Sequence, residues 1–139
     1  MNARRPRLED YQQAAELRAA LRRFLRSSEQ VARRHELTPQ RYTLLLMIKG
    51  AADGSERSTV TELSHRLQLA QSTVTELVRR AESAGLIARE PSSLDARVSH
   101  LRLTAEGERR LSGAVGELGR ERRRLSEVLR PRRSGRSGR

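Results

Sequence analysis

The apolar positions of this chain recur every three or four residues over most of its length, which is typical of amphipathic helices. The first such stretch covers residues 8–35, and its opposite face is dense in Arg and Glu. Its recurring positions are Tyr11, Ala14, Leu17, Leu21, Phe24, Leu25, Ser28 and Val31. Thr38 and Pro39 then supply an N-cap and a first-turn proline for a second helix, which Gly50 ends. This helix is expected to bury Tyr42, Leu45, Leu46 and Ile48.

Two shorter helices follow a polar loop over residues 51–58. Thr59 and Glu62 have the spacing of a capping box at the start of the first. The second begins near Gln71, directly after Ala70, which cannot cap it. Its predicted buried stripe is Val74, Leu77, Val78 and Ala81, and its predicted outward face is Ser72, Thr73, Thr75, Glu76, Arg79 and Arg80. Gly85 fits a left-handed residue just past the helix, with Leu86 folding back.

From residue 86 the period changes to two, which indicates β-strands over 86–90 and 98–103 with a tip at 92–96. Asp95 and Arg97 lie at this tip, where the carboxylate can aim the guanidinium outward. An arginine presented in this way suits the narrow minor groove of A·T-rich DNA. A solvated loop with a weak ion pair is the alternative.

Thr104 caps a last long helix with a heptad-like seam of Leu111, Val115, Leu118, Arg122, Leu125 and Leu129. The series Gly113, Gly116 and Gly119 weakens this helix, so either a partner helix packs over the glycines or the helix frays. The predicted fold is therefore mainly α with a small β-hairpin wing, a winged helix-turn-helix flanked by N- and C-terminal helices.

Charge points to a polyanionic partner, because the 139 residues carry a formal net charge of +12. Residues 120–139 hold nine Arg against two Glu, so the rest of the chain is only moderately basic. Cysteine is absent, which excludes disulfides and Cys-ligated zinc. No apolar run is long enough for a signal peptide or a membrane span, so we expect an intracellular protein.

Catalytic and metal-binding chemistry finds little support in the sequence. His35, His65 and His100 lie on different predicted elements without ligand spacing, so neither a metal nor a cofactor is expected. The chain has no Ser-His-Asp order, no paired carboxylates in a cleft and no Gly-rich phosphate loop, so we do not expect an enzyme.

Binding to duplex DNA is the function that the order of elements favours. A helix with an apolar back and a front of short polar groups and cations can enter the major groove. An amphipathic surface helix is the common alternative for residues 71–80 alone. A basic-tipped hairpin after the helix pair shifts the balance toward DNA.

The chain resembles the MarR family of bacterial winged helix-turn-helix regulators over about residues 10–129. The matching segments are LTPQRYTLL at 37–45, TVTELSHRLQL at 59–69, STVTELVRRAESAGLI at 72–87 and LTAEG at 103–107. Asp95 and Arg97 match the family's wing pattern. Glu76 departs from the family's usual cation, and it either specifies cytosine or turns away from DNA.

The resemblance implies a homodimeric regulator of transcription, most often a repressor, in the cytoplasm on nucleoid DNA. Residues 8–35 and 108–129 would form the dimerisation region and 36–107 the DNA-binding domain, with a flexible 1–7 and a basic disordered tail at 130–139. The contact residues would be Gln71, Ser72, Thr73, Thr75, Glu76, Arg79 and Arg80 on the helix, and Asp95 and Arg97 on the wing.

The resemblance further implies a small aromatic or phenolic effector that releases the operator. Tyr11, Phe24, Arg41 and Tyr42 are the candidates to line its crevice, with core packing as their alternative role and a ligand-free regulator as the alternative for the protein. The competing interpretations of the whole chain are a winged-helix module for protein–protein contact and a protein associated with anionic membranes.

Overall fold

A computed structural model describes residues 4–92, 94 and 97–130 of this chain. The predicted basic tail therefore lies outside the described residues from position 131 onward. The elements run in the order α1 (Leu8–Arg34), α2 (Pro39–Lys49), α3 (Val60–Leu67), α4 (Gln71–Ser83), β1 (Ile87–Pro91), β2 (Ser99–Leu103), α5 (Ala105–Glu117) and α6 (Gly119–Leu129). The predicted fold class, a mainly helical winged helix-turn-helix, is confirmed. Within the described ranges, no helix has the length and apolar character needed to cross a membrane.

Helix α2 lies at the centre of the core, where it packs against α1, α3, α4, α5 and β2. Thr38 caps it as predicted, because its Oγ1 accepts a hydrogen bond from the Arg41 amide at 3.2 Å. Leu44 is buried on this helix together with Tyr42, Leu45 and Ile48, whereas Leu46 is only partly buried. The helix therefore buries a wider face than its predicted stripe, because neighbours pack on several of its sides.

Helix α1 buries Ala20 near its middle and Ser28, Val31 and Ala32 in its C-terminal part. The predicted stripe continues toward the N-terminus, but its apolar side chains there have little cover within one chain. The exposed ones on this helix are Leu8, Tyr11, Leu17 and Leu25. The helix itself forms as the periodicity predicts, although one copy of the chain does not bury its full apolar face.

The predicted hairpin forms one residue later than expected, with β1 antiparallel to β2 and Ile87 opposite Leu103. A third short piece of sheet joins it, because Ser58 and Leu101 exchange backbone hydrogen bonds at 3.1 and 2.8 Å. The polar loop that precedes α3 thus lies beside the middle of β2. A single bridge has no alternating pattern of apolar and polar residues, so the sequence does not predict it.

The prediction of one long helix after Thr104 is wrong, because Leu118 separates α5 from α6. This residue is 1% exposed, and its backbone angles of φ −88° and ψ 5° end α5. Arg122 Nη1 donates to the Val115 carbonyl at 3.3 Å, so the predicted seam arginine helps to satisfy the end of α5. The low helix propensity of the surrounding glycines makes the break inexpensive.

The end of α1 in the same chain lies over Gly113. A Cβ at Gly113 would lie 2.5 Å from Nδ1 of His35. Glu117 fixes this crossing, since its carboxylate contacts Arg34 Nη2 at 2.9 Å and His35 Nε2 at 2.8 Å. Arg34, and after it His35, lowers the pKa of Glu117. The sequence left open whether a helix packs over the glycines or the last helix frays. At Gly113 a helix packs closely, and that helix is α1 of the same chain.

Candidate nucleic-acid interface

The helix-turn-helix begins with the predicted capping box at α3. Thr59 Oγ1 accepts from the Glu62 amide at 3.2 Å, and Glu62 Oε1 accepts from the Thr59 amide at 3.2 Å. Both amides would otherwise lack a partner at the start of the helix. Leu63, fully buried one residue later, fixes α3 to the core.

The turn between α3 and α4 is held by side chains from both helices. Gln68 adopts the left-handed conformation at φ 56°, and Ser64 Oγ donates to the Leu69 carbonyl at 2.5 Å. Gln71 Nε2 lies 3.4 Å from Thr61 Oγ1 and links the first turn of α4 to α3. The predicted contact residue Gln71 thus also helps to set the angle between the two helices.

The back and the C-terminal end of α4 are fixed as the sequence predicts, except that Leu77 of the predicted stripe is only partly buried. Val74, Val78 and Ala81 are each 0% exposed. Gly85 lies at φ 76°, where its amide donates to the Glu82 carbonyl at 2.9 Å, while the Leu86 amide donates to the Ala81 carbonyl at 3.0 Å. These two bonds form a Schellman motif, which stops α4 and turns the chain into the wing.

The front of α4 is open to solvent. Its exposed residues are Gln71, Ser72, Thr73, Thr75, Arg79 and Arg80, and Glu76 between them is partly exposed. All seven predicted contact residues of this helix therefore lie outside the core. Six of them lie on the side away from Val74 and Val78, whereas Gln71 lies at the start of the helix next to α3. At its N-terminus, Ala70 makes no side-chain capping bond, as expected.

Glu76 binds both arginines of this face. Its carboxylate accepts from Arg79 Nε at 3.0 Å and Nη2 at 2.6 Å, and from Arg80 Nε at 3.2 Å. Arg79 first, and then Arg80, lowers the pKa of Glu76, so the group is an anion that only accepts hydrogen bonds. The three side chains together carry a net charge of +1.

Thr75 has a different limitation. Its hydroxyl donates to the Gln71 carbonyl at 2.8 Å, one turn back along the helix. The hydroxyl proton is therefore used within α4, which leaves the methyl group and an oxygen lone pair for other contacts. Contact with a thymine methyl therefore fits this geometry better than donation to a phosphate oxygen.

The wing carries Arg97 on its exposed surface, next to the start of β2. Asp95 lies outside the described residues, so the Asp95–Arg97 pair stays a prediction. Leu94, also near the tip, is 97% exposed. This apolar side chain was not among the predicted contact residues.

Ion pairs fix the wing to its surroundings. Arg89 Nε contacts Glu82 Oε1 at 2.7 Å and ties β1 to the last turn of α4. Glu90 contacts Arg57 at 3.2 Å and also pairs with Arg102 of β2. Sequence reasoning missed these pairs because they join segments whose proximity only the folded hairpin creates.

The four candidate residues for an effector crevice have different environments. A groove of about 950 Å³ between α1 and α6 is lined by Phe24, with Leu17 and Leu125 nearby on its walls. Tyr11 is 60% exposed, and Tyr42 belongs to the hydrophobic core. Burial raises the pKa of the Tyr42 hydroxyl, and a hydrogen bond with Ser28 partly opposes the shift. Arg41 lies in the first turn of α2.

Metal ligands do not gather in the part of the chain that the structure describes, since no group of three His, Asp or Glu residues there could hold an ion. His35 contacts Glu117, while His65 lies on α3 and His100 on β2.

Sequence and structure comparisons give the same family. Residues 35–98 match the MarR family model. AbsC, a MarR family transcriptional regulator from Streptomyces coelicolor, has a TM-score of 0.72 at 19% identity, with 93% of this chain and 86% of that chain covered. The transcriptional regulator Tm0710 from Thermotoga maritima has a TM-score of 0.62 at 26% identity over 85% and 80%.

A solved complex with nucleic acid has the same fold. A mutant form of MarR from E. coli, complexed with operator DNA, has a TM-score of 0.66 at 20% identity, with 84% of this chain and 81% of that chain covered. No curated protein matches this sequence significantly. Residues 35–98 are therefore a MarR-family domain, and the chain around them has the fold of the MarR-family transcriptional regulators.

Proposed function

We propose that this protein is a transcriptional repressor that binds a pseudo-palindromic operator as a homodimer. One observation supports the proposal most strongly: α4 exposes polar and cationic side chains on one face while Val74, Val78 and Ala81 fix its other face in the core. Such a helix can enter the major groove without any rearrangement of the core. The similarity to MarR in complex with operator DNA supports the same role.

In this proposal α4 reads bases and the wing holds the DNA backbone and minor groove. The Arg89–Glu82 pair keeps the two elements in a fixed relation, so both can engage one duplex together. Residues 36–107 form the DNA-binding domain, and residues 8–35 and 108–129 form the dimer. The protein acts by binding and not by catalysis, in the cytoplasm where operator DNA is found.

A homodimer is supported by apolar side chains that one chain leaves uncovered. Leu8, Tyr11 and Leu25 of α1 are 72%, 60% and 57% exposed, and Leu129 of α6 is 55% exposed. Several large apolar side chains exposed on the two end helices are consistent with an interaction surface. Pairing of two copies through these end helices also places two copies of α4 on one duplex, as a pseudo-palindrome requires.

Release by an aromatic or phenolic effector is the second part of the proposal. The groove between α1 and α6 supports it, because its volume lies within the range of ligand sites and Phe24 offers a ring for stacking. Since α1 and α6 belong to the proposed dimer region, a ligand there would bias the spacing of the two copies of α4.

The test is selection of duplexes from a randomised library by the purified full chain. We expect one enriched pseudo-palindrome, with affinity that falls steeply as salt rises because phosphate contacts release counterions. Arg79→Ala is expected to weaken operator binding by about tenfold, which corresponds to the loss of one base or phosphate contact.

Arg109→Ala is the matched control, because Arg109 contacts Glu106 at the same 3.0 and 2.6 Å on α5. This substitution removes an equivalent ion pair on α5, away from α4 and the wing, and should leave operator affinity unchanged. Enrichment of no sequence, or equal binding by both variants, would contradict the proposal. Capture of protein partners without any DNA preference would favour the protein–protein module.

A further inference from the structure

Glu76 is the feature that the proposed function leaves unexplained, because a carboxylate near DNA repels phosphates. The structure places it on the solvent side of α4, away from Val74 and Val78. It does not avoid the proposed interface. Its position calls for a role within the interface.

We propose that Glu76 selects cytosine at one position of each operator half-site and positions Arg79 beside it. The inference rests on the proposed function, since it concerns the same helix in the same groove. Glu76 and Arg79 together present an acceptor next to a row of donors. A C·G pair offers the complement in the major groove, with the cytosine N4 amino group beside the guanine O6 and N7 acceptors.

The hydrogen bonds of the carboxylate leave room for a base. Two oxygens provide about four lone-pair sites. Oε1 accepts from Arg79 Nη2 and Arg80 Nε, and Oε2 accepts from Arg79 Nε. One site on Oε2 is left, which suits a single amino hydrogen of cytosine.

The charges also permit the approach. Two guanidiniums surround one carboxylate, so the group as a whole is cationic and is attracted by the phosphates. Arg79 contacts Glu76 through Nε and Nη2, and its edge formed by Nη1 and the second hydrogen of Nη2 is directed elsewhere. This edge can bind guanine O6 and N7 as a bidentate pair.

Cytosine is favoured over the other bases for a simple reason. The carboxylate is ionised and can only accept, so thymine O4 and guanine O6 and N7 repel it. Adenine offers an amino group, but its N7 acceptor lies beside it, whereas the neighbour of the cytosine amino group is an apolar C5–H. The acceptor of Glu76 therefore fits cytosine best.

A second copy of the same arrangement provides the control. Glu106 of α5 binds Arg109 at 3.0 and 2.6 Å and Arg110 at 2.8 Å, with the same sequence spacing. Glu76→Gln and Glu106→Gln thus remove the same charge from equivalent triads on different helices. Both variants keep the shape of the side chain, and measuring their melting temperatures will check that they fold.

The experiment repeats duplex selection with the full-length wild type and both variants. We expect wild type and Glu106→Gln to select cytosine at one position of each half-site, and Glu76→Gln to lose that preference by about tenfold at this position alone. Glu76→Gln should also bind random duplex more tightly, because the carboxylate no longer repels phosphates. In the wild-type operator, N4-methylcytosine at this position should weaken binding by a similar factor.

Three results would overturn the inference. An unchanged preference in Glu76→Gln excludes a role in base selection. A preference for adenine that Glu76→Gln abolishes shows that the wrong base was assigned. If the wild type selects no sequence, the proposed function fails and the inference fails with it, whereas in the other two cases the proposed function stands.

Discussion

Thr75 shows how a single hydrogen bond decides what a residue can read. Its hydroxyl donates to the Gln71 carbonyl at 2.8 Å, so its methyl group is the part that can contact a base. Thr75→Val keeps this methyl and should bind the operator as tightly as the wild type. Thr75→Ser removes it, and burial of one methyl is worth about 0.8 kcal/mol, or about fourfold in affinity. Titration of the selected duplex by fluorescence anisotropy measures both.

The reverse order would show that Thr75 uses its hydroxyl in the complex. In that case Thr75→Val would bind more weakly than Thr75→Ser, and the bond to Gln71 would have to break on binding. Melting temperatures serve as the control. Thr75 is exposed, so neither substitution disturbs the core and both variants should fold as the wild type does.

Gly107 of α5 lies close to the backbone at the exit of α4. A Cβ there would lie 2.2 Å from the Leu86 carbonyl oxygen, a backbone atom that cannot move alone. Gly107→Ala should therefore destabilise the fold by about 1–3 kcal/mol through overpacking. Gly116→Ala is the control, since nothing lies within 4 Å and Ala is the better helix former by up to about 1 kcal/mol. Urea unfolding distinguishes them, and equal stability of the two variants would contradict the close approach.

Among the elements, α4 starts without a side-chain cap. Ala70 has the extended backbone of a capping residue, with φ −61° and ψ 147°, but offers no acceptor. Ala70→Ser should stabilise the protein by about 1 kcal/mol in urea unfolding. Ala84→Ser, at the opposite end of the same helix, provides no such bond and should change little. A gain of equal size in both would mean that something other than capping is responsible.

The triad on α5 makes stability depend on pH in acid. Arg109 first, and then Arg110, lowers the pKa of Glu106 from its usual 4.5 to about 2. A lowered pKa means that the carboxylate stabilises the fold fully above about pH 4.5 and ceases to do so as the pH falls toward 2. The wild type should thus have a higher melting temperature than Glu106→Gln near neutral pH. This difference in melting temperature should shrink as the pH falls from about 4.5 to about 2.

Thermal unfolding at several pH values measures this difference. Glu36→Gln is the control, because Glu36 lies farther from the same arginines, at 3.9 Å from Arg109 and 3.7 Å from Arg110. It should give a smaller difference. A gap between wild type and Glu106→Gln that persists at pH 2 would contradict the assigned cause.

Local signals predicted the elements that local physics determines. The caps at Thr38 and Thr59, the left-handed Gly85 and the change of period at residue 86 each depend on neighbours in sequence, and each is found in the structure. The bridge between Ser58 and Leu101 joins residues far apart in the chain, so no local pattern announces it. The break at Leu118 was missed for a related reason, because a heptad seam does not reveal which of its members the core will bury.

In the candidate site, too, the sequence predicts the local features but not the contacts that depend on rotamers or on the tertiary structure. Periodicity was enough to place the polar residues of α4 on its exposed face. It did not show that Glu76 binds Arg79 and Arg80 at once, or that Thr75 bonds to its own helix, because rotamers lie outside the pattern of apolar and polar positions. The pairs that fix the wing, such as Arg57 with Glu90, require the tertiary structure.

For the whole molecule, the uncovered half of α1 leads to a test of the dimer. Leu25 is 57% exposed, so Leu25→Glu leaves the core of one chain untouched but puts a charge into the proposed interface. We expect this variant to sediment as a monomer at micromolar concentration, with wild-type secondary structure. It should bind a single half-site as wild type does and lose the extra affinity for the full operator, because two copies of α4 no longer act together.

Gln30→Glu is the control, because it adds the same charge at a polar position of α1 and should stay dimeric. A dimeric Leu25→Glu with full operator affinity would exclude this face of α1 from the interface, and the exposed apolar residues would then need another partner.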